Sequence, residues 1–425
     1  MLTREMKDSG VEWIGTVPKN WELTRLGKVA KIQTGNTPSE KERKVFSDIE
    51  GTDWIKTDNL LGTNGISKSK LKIINDVLEF ARLTNNKAVL VCCIGDIGKL
   101  GFTNKNVTYN QQINSVEFNE KMYWKFGMYF LYSQKEQHEY FANGNVLKIL
   151  NTENQKKILL TYPKNIIDQK KVVEVLDEMT IKIDKIISDT KISVGELKKY
   201  KQALITETVT KGLNSNDVMK NSGIEWLGNI PKGWQISKIG RLFKIKKTIA
   251  NQLGFDILSV TQKGLKVKDV TQNQGQMAAN YEKYQIVEKN DFVMNHMDLL
   301  TGWVDSSDQE GVTSPDYRVF RSKDTTIVLN DYYRYIFQIC YMNKIFYSLG
   351  QGVSNLGRWR LQTDKFLNFY LPVPPIEEQI EITNFLNSKI VDINLMIEEK
   401  DKLLNELEQY KKSLIYEYVT GKKEV

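Results

Sequence analysis

Two stretches of the chain carry a long, narrow apolar spacing. From Ile166 to Thr210 there is no proline, and apolar residues recur at Leu176, Met179, Ile183, Ile186, Leu197, Tyr200 and Leu204. These fall on the a and d positions of one heptad frame, which predicts a helix with a single seam. Thr190 and Ser193 interrupt it, and Gly195 costs about 1 kcal/mol relative to alanine. The frame returns near the end at Leu386, Ile393, Met396, Leu403, Leu407, Tyr410 and Leu414, with Lys389 and Lys400 as interruptions. Each run opens behind proline (Pro163; Pro374 and Pro375) and has acid in its first turn (Asp168; Glu377 and Glu378), as helix starts favour. About 45 helical residues span roughly 65 Å. A helix that long with so narrow a seam is poorly stable alone, so the two are expected to pair. An antiparallel pair would place one globular domain at each end of a rod, related by a pseudo-twofold axis. A parallel pair would put both domains side by side.

The rest of the chain reads as mixed α/β. Strand-like runs are Asp53–Lys56, Ala88–Ile94 and Ser115–Phe118, then Asp256–Val260, Phe292–Asn295 and Tyr317–Arg321. Turns fall at Gly62–Gly65 and Gly95–Gly101, and helical patterns at Tyr123–Phe141 and Asp331–Leu349. The fold class is therefore α+β, with long helices added.

An internal repeat organises these elements. Residues 6–32 (MKDSGVEWIGTVPKNWELTRLGKVAKI) return 213 positions later as residues 219–245 (MKNSGIEWLGNIPKGWQISKIGRLFKI), with 13 of 27 positions identical and no gap. Residues 199–210 (KYKQALITETVT) return 210 positions later as 409–420 (QYKKSLIYEYVT). The chain is a tandem duplication. The domains expected are a first globular domain over 1–165, a long helix over 166–212, a second globular domain over 213–375 and a second long helix over 376–425. Residues 33–157 and 246–370 align poorly, so shared architecture is predicted at the ends and different contacts in the middles.

Composition adds a partner class. Hydrophobic residues make up 40% of the 425 and charged residues 26%, normal for a folded chain, and the net charge is +8. That balance suits a phosphate-bearing partner. The divergent middles carry the residue types that reach base edges, amides for adenine and Arg or Lys for guanine. The second middle offers Gln262, Lys263, Lys266, Lys268, Gln272, Asn273, Gln274, Arg318, Arg321, Arg358 and Arg360. The first offers Lys68, Lys70 and Lys72 at alternate positions, then Lys99 and the run Asn110, Gln111, Gln112. Each of these singly also reads as an ordinary solvated side chain; as a set they make base-reading loops.

The sequence carries no recognisable catalytic signature. Gly95, Gly98 and Gly101 do not complete a P-loop and read as a tight turn. His138 and His296 form no zinc spacing with Cys92, Cys93 and Cys340. There is no GxSxG elbow and no Asn/Asp-Pro-Pro-aromatic tetrapeptide, and Pro315–Asp316 lacks a following Glu-x-Lys. No metal site is expected. Three cysteines cannot be a disulfide framework and fit a reducing cytoplasm. Met1–Gly10 is polar, unlike a signal peptide, and no apolar run is long enough to span a membrane.

The repeated start SGVEWIGTVPKNW and its copy SGIEWLGNIPKGW, PPIEEQ at Pro374–Gln379, the weaker PKNIIDQ at Pro163–Gln169, and GVTSPDY at Gly311–Tyr317 resemble the specificity (S) subunits of type I restriction–modification systems. These pieces cover both ends of both repeats. The resemblance implies two target recognition domains, each reading half of a split, asymmetric double-stranded DNA site. It implies helices that set the spacer and dock two methyltransferase subunits, with two restriction subunits able to join. S-adenosylmethionine would belong to the methyltransferase partner, ATP and Mg to the restriction partner, and no cofactor to this chain. Two other classes stand against this reading. A self-contained methyltransferase or nuclease would act on DNA without partners, and a coiled-coil scaffold would bind specific and random DNA no better than none.

Overall fold

The computed structural model describes residues 5–39, 44–144, 146–268, 281–352 and 359–425. The chain divides into two compact units. The first is Met1–Lys191 with Asp401–Val425, and the second is Ile192–Lys400. Each long helix therefore contributes one half to each unit.

In the first unit, strands β1 (Trp21–Arg25), β2 (Ala30–Thr34), β3 (Ala88–Cys92), β4 (Leu100–Thr103) and β5 (Ile113–Phe118) precede helices α1 (Trp124–Ser133) and α2 (Lys135–Phe141). Strand β6 (Leu159–Pro163) then leads into the long helix α3 (Ile166–Lys211). An antiparallel sheet runs in the order β2-β5-β3-β4, and β6 pairs with β1. The apolar run at Ala88 is a fully buried strand because it lies at the interior of this sheet. A smaller sheet gathers Phe46–Ser47, Thr52–Ile55, Lys72–Ile73 and Thr108–Tyr109.

The second unit holds β7 (Gln235–Lys238), β8 (Phe243–Lys246), the hairpin β9 (Leu258–Thr261) and β10 (Gly264–Val267), then β11 (Phe292–Met294), β12 (Val304–Ser306) and β13 (Arg318–Ser322). Helices α4 (Asn330–Met342) and α5 (Ile345–Ser348), strand β14 (Tyr370–Val373) and the long helix α6 (Ile376–Val419) follow. Its sheet order, β8-β13-β11-β12, matches that of the first unit strand for strand. The fillings differ. Phe243, Phe292 and Phe320 of the second sheet form edge-to-face and stacked aromatic pairs with centroids 5.1–5.7 Å apart, where the first sheet places Ala30, Val89 and Val116. One architecture thus packs two different cores, one rich in aromatic rings and one aliphatic.

The strand-like runs fold as strands with ends moved by one or two residues, Ser115–Phe118 beginning earlier at Ile113 and Asp256–Val260 shifting to Leu258–Thr261, and both helical runs are broken. Gln134 leaves helical dihedrals between α1 and α2, and Lys344 takes a left-handed φ of 56° before α5.

Two devices repeated in both units attach the long helices. Gln169 of α3 is fully buried; its Nε2 donates to the carbonyls of Lys121 (3.0 Å) and Pro163 (2.8 Å), and its Oε1 accepts from the Tyr123 amide (2.7 Å). Gln379 of α6 repeats this with the Ile327 and Pro374 carbonyls (2.8 and 2.9 Å) and the Leu329 amide (2.9 Å). At the far helix ends, Gly212 and Gly421 adopt left-handed φ of 80° and 72°. Gly421 lies so close to Pro18 and Trp21 that a Cβ would collide with the proline ring, and Gly212 lies against Pro231 and Trp234. The Pro-x-x-Trp of each repeat start is the seat for a helix end, which explains why starts and ends are the parts that match.

The helices pair antiparallel within each unit. In the first, Lys411 Nζ meets both carboxylate oxygens of Asp184 at 2.6 Å, and Lys191 lies 3.6 Å from Glu408. In the second, Lys201 Nζ donates to Asn394 Oδ1 at 2.9 Å, and burial draws the Lys201 pKa down. These are equivalent positions, 210 residues apart, with a carboxylate in one copy and an amide in the other.

The seam needs one correction. Leu176, Ile183, Leu386, Ile393 and Leu414 are buried, and Met179, Leu197, Leu204 and Leu407 are partly so. Ile186 (48% exposed), Tyr200 (57%), Met396 (49%), Leu403 (41%) and Tyr410 (55%) instead point outward. The second row of the seam lies four residues on, not three: Thr180, Ile187, Val194, Lys201 and Thr208 in α3, and Ile397, Leu404, Lys411 and Tyr418 in α6. Several of these are polar, so an apolar count selects the wrong diagonal. Thr180 survives burial by donating back to the Leu176 carbonyl at 2.7 Å, and Lys411 by its ion pair.

Among the described residues, no helix is long and apolar enough to cross a membrane.

Candidate nucleic-acid interface

In the second unit, one surface forms around the β9–β10 hairpin. Its two-residue tip is Gln262–Lys263, both exposed. Thr261 shapes the tip, its Oγ1 accepting from the Lys263 amide and donating to the Gly264 carbonyl, while Gly264 supplies a φ of 98°. Gln262 Nε2 reaches the Thr301 carbonyl at 3.5 Å. The adjacent Leu299 amide bonds the Trp359 carbonyl, and Arg360 pairs with Gln351 through the backbone. Lys266 on β10 and Arg360 are exposed. Hairpin tip, turn and bridge thus present Gln262, Lys263, Lys266 and Arg360 from neighbouring segments. Gln272, Asn273, Gln274 and Arg358 lie outside the described residues.

Two arginines of this unit are engaged by other groups of the protein. Arg321 Nε and Nη2 bond Asp291 (2.6 Å) and Glu288 (2.7 Å), and Lys246 joins the same two carboxylates. Arg318 is 4% exposed; its Nη2 donates to the Leu361 carbonyl (3.0 Å) and Thr363 Oγ1 (3.3 Å), and its guanidinium lies over the Phe366 ring. Both sit on β13, an interior strand of the main sheet, but three residues apart they face opposite sides of it: Arg321 is held by carboxylates and Arg318 by neutral groups. Lys268 is half-buried, with its amide bonded to Ile257.

In the first unit, Lys68 and Lys70 are exposed on either side of Ser69, whose hydroxyl is buried against the carbonyls of Trp54 and Leu71. Only Lys72 of the three lies in a strand, and its Nζ donates to the Ile49 carbonyl at 3.1 Å. Asn110 is buried and shapes its own turn through Gln112 rather than facing solvent. That turn exposes Gln111, whose Oε1 accepts from Thr37 Oγ1 at 2.6 Å, and half-exposes Gln112. Lys99 is half-buried at the end of the glycine turn; Gly98, with φ 81°, packs on His138 there.

Lys247 and His296 were not singled out from sequence. Lys247 lies two positions past the matched start of the second repeat, where the halves no longer align. Among the described residues, no group of His, Cys, Asp and Glu is arranged to hold a metal ion. The three cysteines are buried, and burial pushes the Cys93 thiol up to about 12. A thiol so placed is a poor nucleophile at neutral pH.

The chain resembles known proteins over most of its length. It is 23% identical over 435 residues to the type I restriction enzyme MjaVIII specificity subunit of Methanocaldococcus jannaschii, covering 96% of this chain and 93% of that one. It is 28% identical over 171 residues to the type I restriction enzyme HindI specificity subunit of Haemophilus influenzae, covering 38% and 37%. Among solved structures, a chain from work on complex assembly and conformational transition of the type I R-M system matches with a TM-score of 0.70 at 12% identity, over 95% of this chain and 98% of that one. The HsdS subunit from Thermoanaerobacter tengcongensis matches with a TM-score of 0.50 at 12% identity, over 96% and 98%. These structures share the fold. The family model for the type I restriction modification DNA specificity domain matches twice, at residues 18–195 and 231–409, once on each repeat with the first part of its long helix. With two such domains in tandem, the chain belongs to the family of type I restriction–modification DNA specificity proteins.

Proposed function

We propose that each globular domain binds one half of a bipartite, asymmetric DNA site, and that the paired helices hold the two readers at a set separation. The observation that carries this reading is the contrast between sameness and difference in the two units. Sheet order, glutamine clasp and helix seats repeat. The exposed loop surfaces do not: a Gln262–Lys263 hairpin tip in one unit stands against Lys68, Lys70 and a Gln111–Gln112 turn in the other. Unlike surfaces on like frames suit unlike half-sites, so the target is no palindrome.

The chain works in this reading as a non-catalytic subunit in the cytoplasm. Two methyltransferase subunits dock on the helices and hold S-adenosylmethionine; two restriction subunits, with ATP and Mg, can complete the complex. The outward Ile186, Ile192 and Tyr200 of α3 and Leu395, Met396 and Leu403 of α6 support a docking role, since exposed apolar rows on helices call for a covering partner.

The test is to reconstitute the chain with methyltransferase subunits and sequence the methylated DNA. A split, asymmetric motif is expected. Exchanging residues 33–157 for the matching segment of another member should change one half of the motif only. A change in both halves, or methylation by this chain without a partner, would overturn the reading.

A further inference from the structure

A recessed cavity of about 260 Å³ lies in the second unit, lined by Lys247, His296, Asp316, Tyr317, Arg318 and Arg360 among others. Its charges are unusually arranged. Arg318 is 4% exposed, yet among the described residues no carboxylate pairs with it; its guanidinium meets a carbonyl, a hydroxyl, a thioether and the Phe366 ring. Buried arginines are ordinarily matched by an acid, because desolvating a lone cation is costly. Arg360 and Lys247 are exposed at the same cavity without a side-chain partner among the described residues. His296 is 7% exposed, and its Nδ1 is buried with no hydrogen-bond partner. Lys246 also lines the cavity, but Glu288 and Asp291 hold its ammonium. Asp316 is the one carboxylate among the described lining residues, and it is exposed.

The positive charges are close enough to feel one another. Burial first, then Arg318 and Arg360, pull His296 down to about 3. Burial, with Arg360 adding to it and Tyr341 opposing, pulls Arg318 down to about 10. Cations that outnumber the single exposed acid, Asp316, at a recess favour an anion there.

We infer that this cavity is a phosphodiester clamp, in which Arg318, Arg360 and Lys247 seat one backbone phosphate of bound DNA while the His296 ring lines the wall. The inference rests on the DNA-reading role proposed above. It also makes the two units unequal. In the first sheet the position of Arg318 is taken by Asn114: Asn114 pairs with Thr34 as Arg318 lies beside Lys247, and each donates to a leucine carbonyl, Leu150 or Leu361. Thr34 stands where Lys247 does and bonds Asn114 directly, so the equivalent place in the first unit lacks these charges. The second unit would therefore carry more of the salt-dependent grip.

The experiment compares the purified full chain with Lys247→Gln/Arg360→Gln, both exposed positions, and with a charge-matched control on the helices, Lys182→Gln/Lys402→Gln. Inorganic phosphate at constant ionic strength should raise the melting temperature of the wild type and the control and leave the cavity variant unmoved. Titrating a random-sequence DNA duplex against salt should give a log–log slope shallower by about 0.9 for the cavity variant alone, the loss of one phosphate contact. Equal phosphate protection in the cavity variant would overturn the site. Lost phosphate protection with an unchanged DNA slope would mean a free-anion site and overturn the clamp. If the wild type responds to phosphate yet binds no duplex at all, the DNA-reading role itself fails along with the clamp. If duplex is bound with equal slopes and phosphate does nothing, the role stands and only the clamp falls.

Discussion

At the scale of single residues, the same side chain type has different work in the two halves. His138 is wholly buried in the first unit, and burial, offset in part by the Leu131 carbonyl, lowers its pKa to about 4. A histidine whose folded value lies below its unfolded value of about 6.5 takes up protons mainly when the chain unfolds. Its contribution to stability is therefore complete above about pH 6.5 and declines as pH falls towards 4. We predict a loss on the order of 3 kcal/mol across that window. Denaturant unfolding at several pH values would register it, and His138→Gln should flatten the slope. Gln169 offers a second measurement. Gln169→Leu would leave the Tyr123 amide and the carbonyls of Lys121 and Pro163 without their partner. Stranding buried polar groups costs about 1–3 kcal/mol each, so a loss of about 3 kcal/mol is expected in urea melts. A loss below about 1 kcal/mol would show that water replaces the amide.

Residues also mark where sequence reading stops. Lys68, Lys70, Gln262, Lys263, Lys266 and Arg360 were legible as exposed polar groups and are so. Arg321 and Asn110 belong to the same composition but are consumed by Asp291 with Glu288 and by a turn. Only tertiary neighbours distinguish an available cation from a spent one, and those neighbours are 30 or more residues away along the chain for Arg321.

At the scale of elements, the long helices were the most legible part because proline boundaries, first-turn acids and a 210-residue repeat all coincide on them. Their seam was half legible. One row, through Leu176, Ile183 and Leu197, is clear in the apolar pattern. The other contains Thr180, Lys201 and Lys411, whose burial depends on a backbone acceptor, Asn394 and Asp184. Adjacent isoleucines give a direct check of the corrected frame. Ile187→Ala should destabilise the isolated chain by about 2–3 kcal/mol, as a truncation in a packed seam does. Ile186→Ala should stay within about 0.5 kcal/mol. Reversed magnitudes would restore the three-residue diagonal. The break between α4 and α5 was not legible, because the apolar pattern continues across Lys344 while its backbone does not.

At the scale of the whole molecule, the proposed ruler predicts a matched change of length. Lys201 faces Asn394, so Leu197–Ala203 lies opposite Asp392–Glu398 within the second unit. Removing both heptads keeps the seam in frame and shortens the pair by roughly 10 Å. Methylome mapping of the reconstituted complex should then give a spacer shorter by about three base pairs. Removing Leu197–Ala203 alone breaks the antiparallel register and should abolish assembly. An unchanged spacer after the matched deletion would separate helix length from site spacing.

The glutamine clasp bears on how such a molecule tolerates change. Gln169 and Gln379 bind main-chain atoms only: two carbonyls, which any residue can supply, and an amide, which any residue but proline can supply. The socket is blind to the side chains of whatever domain is plugged into it. Loops that meet DNA can drift, or be replaced wholesale by a foreign insert, while the joint to the helix continues to close, so novelty in recognition need not be matched by compensating mutations in the scaffold.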